Sequence, residues 1–214
     1  MESEKGMNYQ IIVAGIGPGH PDYMTPEARR EILGAKVLVG GRRALSQFGG
    51  EHQRTMAITK DIPAVLAFIR QELRESDVVV MVSGDPGYYS LLDALRREFP
   101  VESLRVLPGI SSLQLAFSRL ALPWHGARLL SFHGRVPEKE ELVYRKGILL
   151  GMLTDGAYHS QRISSLLMEL GWPGETSISI CERLSYDEER ILSMTLTEAA
   201  HGEGIGNCVL VVRG

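Results

Sequence analysis

The sequence predicts an α/β chain built around a parallel sheet, and three observations carry that prediction. Apolar runs that read as buried strands, 10–14 and 77–82 foremost, alternate with stretches of helical three-and-four spacing. The run at 77–82 is continuously apolar after its aspartate, as strands covered on both faces are. Both runs empty into glycine-proline turns, Gly15-Ile16-Gly17-Pro18-Gly19 and Gly84-Asp85-Pro86-Gly87, the kind of junction where bare backbone is brought up to a ligand.

The elements follow in order. Residues 1–8 are polar and charged and are set apart as an N-terminal extension; the first strand is 10–14. Thr25 can cap a short helix opening at Pro26, whose missing N–H is harmless there, with Ile32 and Leu33 facing inward and Gly34 ending it. A second strand covers 37–39. Asp61 precedes Ile62, Val65, Leu66, Ile69 and Leu73, one apolar stripe on a capped helix. After strand 77–82 comes a helix over 88–99 with Leu91, Leu92 and Leu95 inward. A short strand, 104–107, delivers Pro108-Gly109-Ile110-Ser111-Ser112, where either serine is placed to cap the helix bearing Leu113, Ala116, Phe117 and Leu120. The alternation pauses at Leu122-Pro123-Trp124-His125-Gly126, which puts a domain boundary there and defines domains 9–122 and 123–214. The second domain holds strands 128–132, 148–153 and 177–181, a helix 161–170 stopped by Gly171, and a last strand 209–213. The cluster Asp187-Glu188-Glu189-Arg190 reads as a solvated connection.

Composition narrows the function. A chain of 214 residues with 44% hydrophobic content can bury a real core. A formal charge of −3 without any long basic run argues against a nucleic-acid surface. No segment approaches the length of a membrane span, and no apolar stretch behind the first eight residues could serve as a signal, so a cytoplasmic protein is expected. Cys181 and Cys208 lie in apolar runs without metal-like spacing and read as reduced core thiols. There is no zinc-protease histidine pair, no Gly-x-Ser-x-Gly elbow and no Walker loop, and the six histidines are scattered, so no metal site is expected. A reaction needing neither metal, covalent nucleophile nor strong acid fits best. Methyl transfer from a sulfonium is such a reaction, because its leaving group is already activated and only alignment remains, worth roughly 7 to 11 kcal/mol.

The first turn invites a dinucleotide reading that fails on two residues. Pro18 has no N–H to offer a pyrophosphate, and His20 stands where a third glycine is needed. No acidic ribose partner follows the second strand; Gly40-Gly41-Arg42-Arg43 does, and those arginines keep a 2′-phosphate and hence NADP open. A ligand-free strand-to-helix turn is the other reading of this loop.

Three motifs in order, Gly15-x-Gly17-Pro18-Gly19 with Met24-Thr25, Ser83-Gly84-Asp85-Pro86, and Pro108-Gly109-Ile110-Ser111-Ser112, each at a strand end, resemble the tetrapyrrole (corrin and porphyrin) S-adenosylmethionine-dependent methyltransferases over nearly the whole chain after Asn8. Gly40-Gly41-Arg42 and Ser131-Phe132-His133-Gly134-Arg135 are similar to the branch that methylates C-5 of cobalt-precorrin-7. The resemblance implies a two-domain α/β fold, with a mostly parallel sheet in the first domain, a mixed sheet in the second and the cofactor in the interdomain cleft. It implies S-adenosylmethionine as cofactor, S-adenosylhomocysteine as product, a tetrapyrrole substrate and a homodimer. It also implies a separate decarboxylating C-15 methyltransferase as partner. By the same carry-over Gly84, Asp85, Tyr88, Ser111, Ser112, Met152 and Glu182 meet the cofactor, Glu182 through its backbone. Pro18 lines the substrate trough. Because a precorrin carries many carboxylates, Arg42, Arg43 and Arg135 are candidates to bind it, and His133 to remove a proton after methylation. From the residues alone Asp85 could instead cap a helix at 86–89, Met152 could be plain core, and each cation could be a solvated surface group. Diphthine synthase shares fold and cofactor but methylates a protein, and the 131–135 segment favours the corrin branch. An NADP-linked oxidoreductase and a non-catalytic scaffold are the rivals from other classes, and S-adenosylhomocysteine against NADP in a calorimeter separates them.

Overall fold

The computed structural model describes residues 9–214, and the expected extension 1–8 lies outside the described residues. The chain forms two compact units, one ending at Ser111 and the other spanning Ser112–Gly214.

The first unit runs β1 (Ile11–Gly15), α1 (Pro26–Gly34), β2 (Val37–Gly40), α2 (Arg42–Phe48), β3 (Arg54–Ala57), α3 (Ile62–Glu72), β4 (Val78–Val82), α4 (Leu92–Glu98) and β5 (Leu104–Leu107). Its sheet has the order β3-β2-β4-β1-β5 and every pairing is parallel. Successive side chains of a strand point to opposite faces. Accordingly Ile11, Val13, Val78 and Val80 pack with Val65 and Ile69 of α3 and Leu95 of α4, while Ile12, Ala14, Val79 and Met81 pack with Ala28 and Ile32 of α1. Two covered faces are the reason the strand sequences show no polar alternation. Both expected caps form, Thr25 Oγ1 accepting from Ala28 N at 3.2 Å and Asp61 Oδ1 from Ala64 N at 3.1 Å.

The structure corrects several expectations. Leu33 is 56% exposed, because it sits about 100° round the helix from Ile32 and off the stripe that Ala28 and Ile32 form. The helix expected over 88–99 begins only at Leu92. Before it the chain turns: Tyr89 adopts φ 50°, and the Ser90 hydroxyl donates to Pro86 O at 2.6 Å while accepting from Leu92 N at 3.1 Å. Helix α2 and strand β3 fill a stretch for which the periodicity predicted nothing, since both are short and half exposed.

The second unit runs α5 (Ser112–Arg119), β6 (Arg128–Ser131), α6 (Lys139–Leu142), β7 (Leu149–Leu153), α7 (Ser160–Glu169), β8 (Ser177–Glu182), β9 (Arg190–Thr195), α8 (Leu196–His201) and β10 (Val209–Arg213). The sheet order is β6-β7-β10-β8-β9, parallel between β6 and β7 and antiparallel elsewhere. Ile163 and Leu167 of α7 and Leu196 and Ala199 of α8 close one face over Leu150, Met152, Ile178, Ile180 and Leu210. Helix α5 lies against β7 and β10, where Gly151 makes room for it: a Cβ there would meet Phe117 at 2.7 Å. That packing groups α5 with the second unit, ahead of the 122/123 boundary read from the sequence. Gly171 ends α7 with φ 92°, as expected. The acidic cluster is more than a solvated connection. Glu189 is tied to Arg119 and to Ser185 N, and Arg190 opens strand β9, whose first residues the charges had masked.

Candidate functional site

Because every strand of the first sheet points the same way, the loops leaving β1, β2, β4 and β5 share its C-terminal edge, the usual ligand edge of an open α/β sheet. There the expected motifs meet. Gly17 and Gly84 form an antiparallel bridge, Gly84 N donating to Gly17 O at 2.8 Å and Gly17 N to Gly84 O at 3.4 Å. The third loop closes on them so tightly that a Cβ on Gly15 would lie 2.7 Å from Gly109 N and one on Gly109 would lie 2.2 Å from Gly84 O. The glycines at 15 and 109 are therefore required by backbone packing on backbone, and Gly84 and Gly17 also by φ values of 70° and 76°.

Asp85 fastens this assembly. Its Oδ1 accepts from Gly87 N at 2.8 Å, and its Oδ2 accepts from Gly109 N at 3.0 Å, so one carboxylate links the β4 and β5 loops. The cap on a helix at 86–89 is replaced by a turn. Tyr88 follows, half-buried, its ring edge-on to Tyr89 at 4.6 Å. Ser111 lies beside Gly84, at 3.5 Å from the position of its absent Cβ, and Ser112 begins α5.

In the first loop Ile16 N donates to Val82 O at 3.0 Å, Gly17 N is used in the bridge, and Pro18 has none. With its leading amides spent, this loop cannot cradle a diphosphate. Pro18 is half-buried beside it. Arg42 and Arg43 are exposed and open α2, the helix end at which cations are electrostatically disfavoured.

In the second unit β6, β7 and β8 run in one direction, so their following loops share an edge as well. His133 and Arg135 are exposed on the loop after β6, where Ser131 Oγ accepts from His133 N at 3.2 Å. Glu182 closes β8, and its side chain is engaged by Arg190 across the strand pair at 2.5 and 3.1 Å. Met152 is 0% exposed, in mid-strand among the core residues of its unit. Asp155, which the sequence reading passed over, accepts from Gly134 N, Ala157 N and Tyr158 N at 3.1, 2.9 and 2.7 Å. The Tyr158 and Gly134 amides, in that order, hold its carboxyl below the usual aspartate range. An aspartate just past an apolar strand with a glycine beside it was the available signal; Gly156 follows Asp155, and Gly84 precedes Asp85.

The loops 83–87 and 108–112 contain no lysine or arginine; besides two prolines and Ile110 they offer hydroxyls, bare backbone and the amide-bound Asp85. That donor set suits a cationic sulfonium nucleoside and does not suit a polyanion. Among the described residues no three His, Cys, Asp or Glu side chains converge as a metal site requires, and no helix is long and apolar enough to cross a membrane.

The model of the family described as Tetrapyrrole (Corrin/Porphyrin) Methylases matches residues 10–200. The chain is 33% identical over 181 residues to the cobalt-precorrin-7 C(5)-methyltransferase of Salmonella typhimurium, covering 85% of this chain and 88% of that one. A solved precorrin-6Y methylase of Archaeoglobus fulgidus is 26% identical with a TM-score of 0.69, over 97% of this chain and 98% of that one. A uroporphyrin-III C-methyltransferase of Thermus thermophilus, solved with S-adenosylhomocysteine, shares the fold at a TM-score of 0.75 and 23% identity, over 95% of this chain and 92% of that one.

Proposed function

The chain belongs to the tetrapyrrole methylase family, and on that premise we propose that it methylates C-5 of cobalt-precorrin-7, or of its metal-free equivalent, in cobalamin biosynthesis. The observation that carries this reading is the 33% identity to a cobalt-precorrin-7 C(5)-methyltransferase over nearly the full length of both chains. When bound, S-adenosylmethionine supplies a methyl group on an already activated sulfonium.

The protein's own task is alignment and exclusion of water. Gly84 offers backbone at the centre of the first unit's rim, and Asp85 holds that backbone in place by spending both carboxylate oxygens on loop amides. Tyr88, Ser111 and Ser112 complete the cofactor's surroundings. Glu182 contributes main chain, because its side chain is committed to Arg190. Met152 stands at the position that the resemblance sets over the adenine; with its side chain enclosed in the core, its contact there is through the main chain. Pro18 lines the substrate trough, Arg42, Arg43 and Arg135 neutralise substrate carboxylates, and the His133 imidazole accepts the proton released from C-5. The reading implies a second copy of the chain and a separate C-15 methyltransferase as partners, both open to sedimentation analysis, and a cytoplasmic location.

The test is incubation with S-adenosylmethionine and a panel of precorrin intermediates, scored by mass. Gain of one methyl on cobalt-precorrin-7 is the expected result. Turnover only of another intermediate, or tight binding of NADP in place of S-adenosylhomocysteine, overturns the reading. Wild-type turnover and substrate affinity in His133→Ala removes that residue's role alone.

A further inference from the structure

Resting on the reading above, we infer that Asp155 is a positioning residue for substrate binding, holding the His133-Gly134-Arg135 loop in the shape that presents its imidazole and guanidinium to the tetrapyrrole. Strands β6 and β7 are parallel neighbours, so the loops leaving them run side by side. Asp155 stands on the second of these and reaches the first: Oδ2 accepts from Gly134 N at 3.1 Å, while Oδ1 accepts from Ala157 N at 2.9 Å and Tyr158 N at 2.7 Å. The amide before Gly134, that of His133, is held by the buried Ser131 hydroxyl. Two consecutive amides of an exposed loop are thus fixed by side chains.

The far side of the aspartate is anchored in turn. The Tyr158 ring packs on buried Phe132 at 5.3 Å, and Arg162 lies 4.1 Å over that ring while donating to Ala157 O at 3.2 Å. The arrangement resembles what Asp85 does in the first unit, where one oxygen closes the aspartate's own turn and the other takes a glycine amide from the loop of another strand of the same sheet, β5, one strand further across. A carboxylate is needed because both sides require an acceptor. In Asp155→Asn the oxygen stays with the pair Ala157 and Tyr158, and the new NH2 faces the Gly134 N–H, donor to donor.

The experiment combines D155N with the double substitution His133→Ala and Arg135→Ala in the full-length protein. Hydrogen exchange at the Gly134 amide, KM and kcat for cobalt-precorrin-7, and S-adenosylhomocysteine affinity are read in each. The expected result is faster Gly134 exchange and a KM raised about tenfold, the loss of one charge-assisted hydrogen bond, with cofactor affinity kept within twofold. In the background lacking both side chains D155N then adds little, since what it misplaces is already gone. Equal losses in both backgrounds, or a matching loss of cofactor affinity, mean a general structural role and overturn the inference. Wild-type Gly134 exchange in D155N overturns it whatever the substrate, whereas wild-type KM in the double variant overturns it through the reading on which it rests. Should D155N not fold, Gly134→Ala disturbs the same loop through φ 69° with open space around its Cβ, and the same pattern is required of it.

Discussion

Replacing Gly109 by alanine strikes where the three rim loops of the first unit are seated on one another. The added Cβ would lie 2.2 Å from Gly84 O and 2.9 Å from the C and Cα atoms of Gly15, all backbone atoms that no rotamer change can move. Carbon and oxygen settle no closer than about 3.3 Å, so the β5 loop must retreat by roughly 1 Å. Retreat on that scale carries Gly109 N, now 3.0 Å from Asp85 Oδ2, out of hydrogen-bond range. Overpacking and the lost bond to a carboxylate together amount to about 2–5 kcal/mol of stability. On the proposed reading this rim meets the cofactor, so affinity for S-adenosylhomocysteine should fall as well, by about tenfold for one hydrogen bond lost. Urea unfolding and calorimetry with S-adenosylhomocysteine measure the two effects. Gly34→Ala is the control, because its Cβ enters open space at the end of α1 and should stabilise by about 0.4–1 kcal/mol through the unfolded chain. If G109A keeps both the wild-type unfolding midpoint and the wild-type affinity, the interlocked-loop argument is refuted.

Gln53→Leu should lower stability by about 1–3 kcal/mol in urea unfolding, because the buried amide donates to Ile32 O at 2.7 Å and Ala35 O at 3.0 Å, and both carbonyls lose that donor. Glu189 has its carboxyl held below the ordinary glutamate range, first by the Arg119 hydrogen bond and also by the Ser185 amide. Its contribution is therefore present above the unfolded value of about 4.3 and is lost as pH falls through the lowered folded value. Melting curves from neutral pH down to about pH 3 should show the advantage of wild type over Glu189→Gln shrinking on that acid limb; an undiminished gap would contradict the assignment. Burial pushes the Cys181 thiol up to about 12 and the Cys208 thiol to about 11. Native protein at about pH 8 should thus be inert to a thiol reagent, and both thiols should react once the chain is unfolded.

The sequence by itself determined the strand runs, the caps at Thr25 and Asp61, the stop at Gly171 and the three glycine loops. Each of these is written in contiguous residues, by apolar continuity, by an oxygen three residues ahead of an amide, or by a backbone that only glycine tolerates. It also named Asp85, though as a cofactor contact or a helix cap. The short helices α2, α6 and α8 stayed hidden because they have too few turns to show a period, and the edge strands β3 and β9 because neither carries a continuous buried apolar run. What only the tertiary structure decided is which groups the loops spend on each other. Strand order brings Gly109 within reach of Asp85 and Gly134 within reach of Asp155, at separations of 24 and 21 residues. A hydrogen bond between the loops of two different strands leaves no local spacing in the chain, so it becomes visible only when the sheet gathers those loops on one edge.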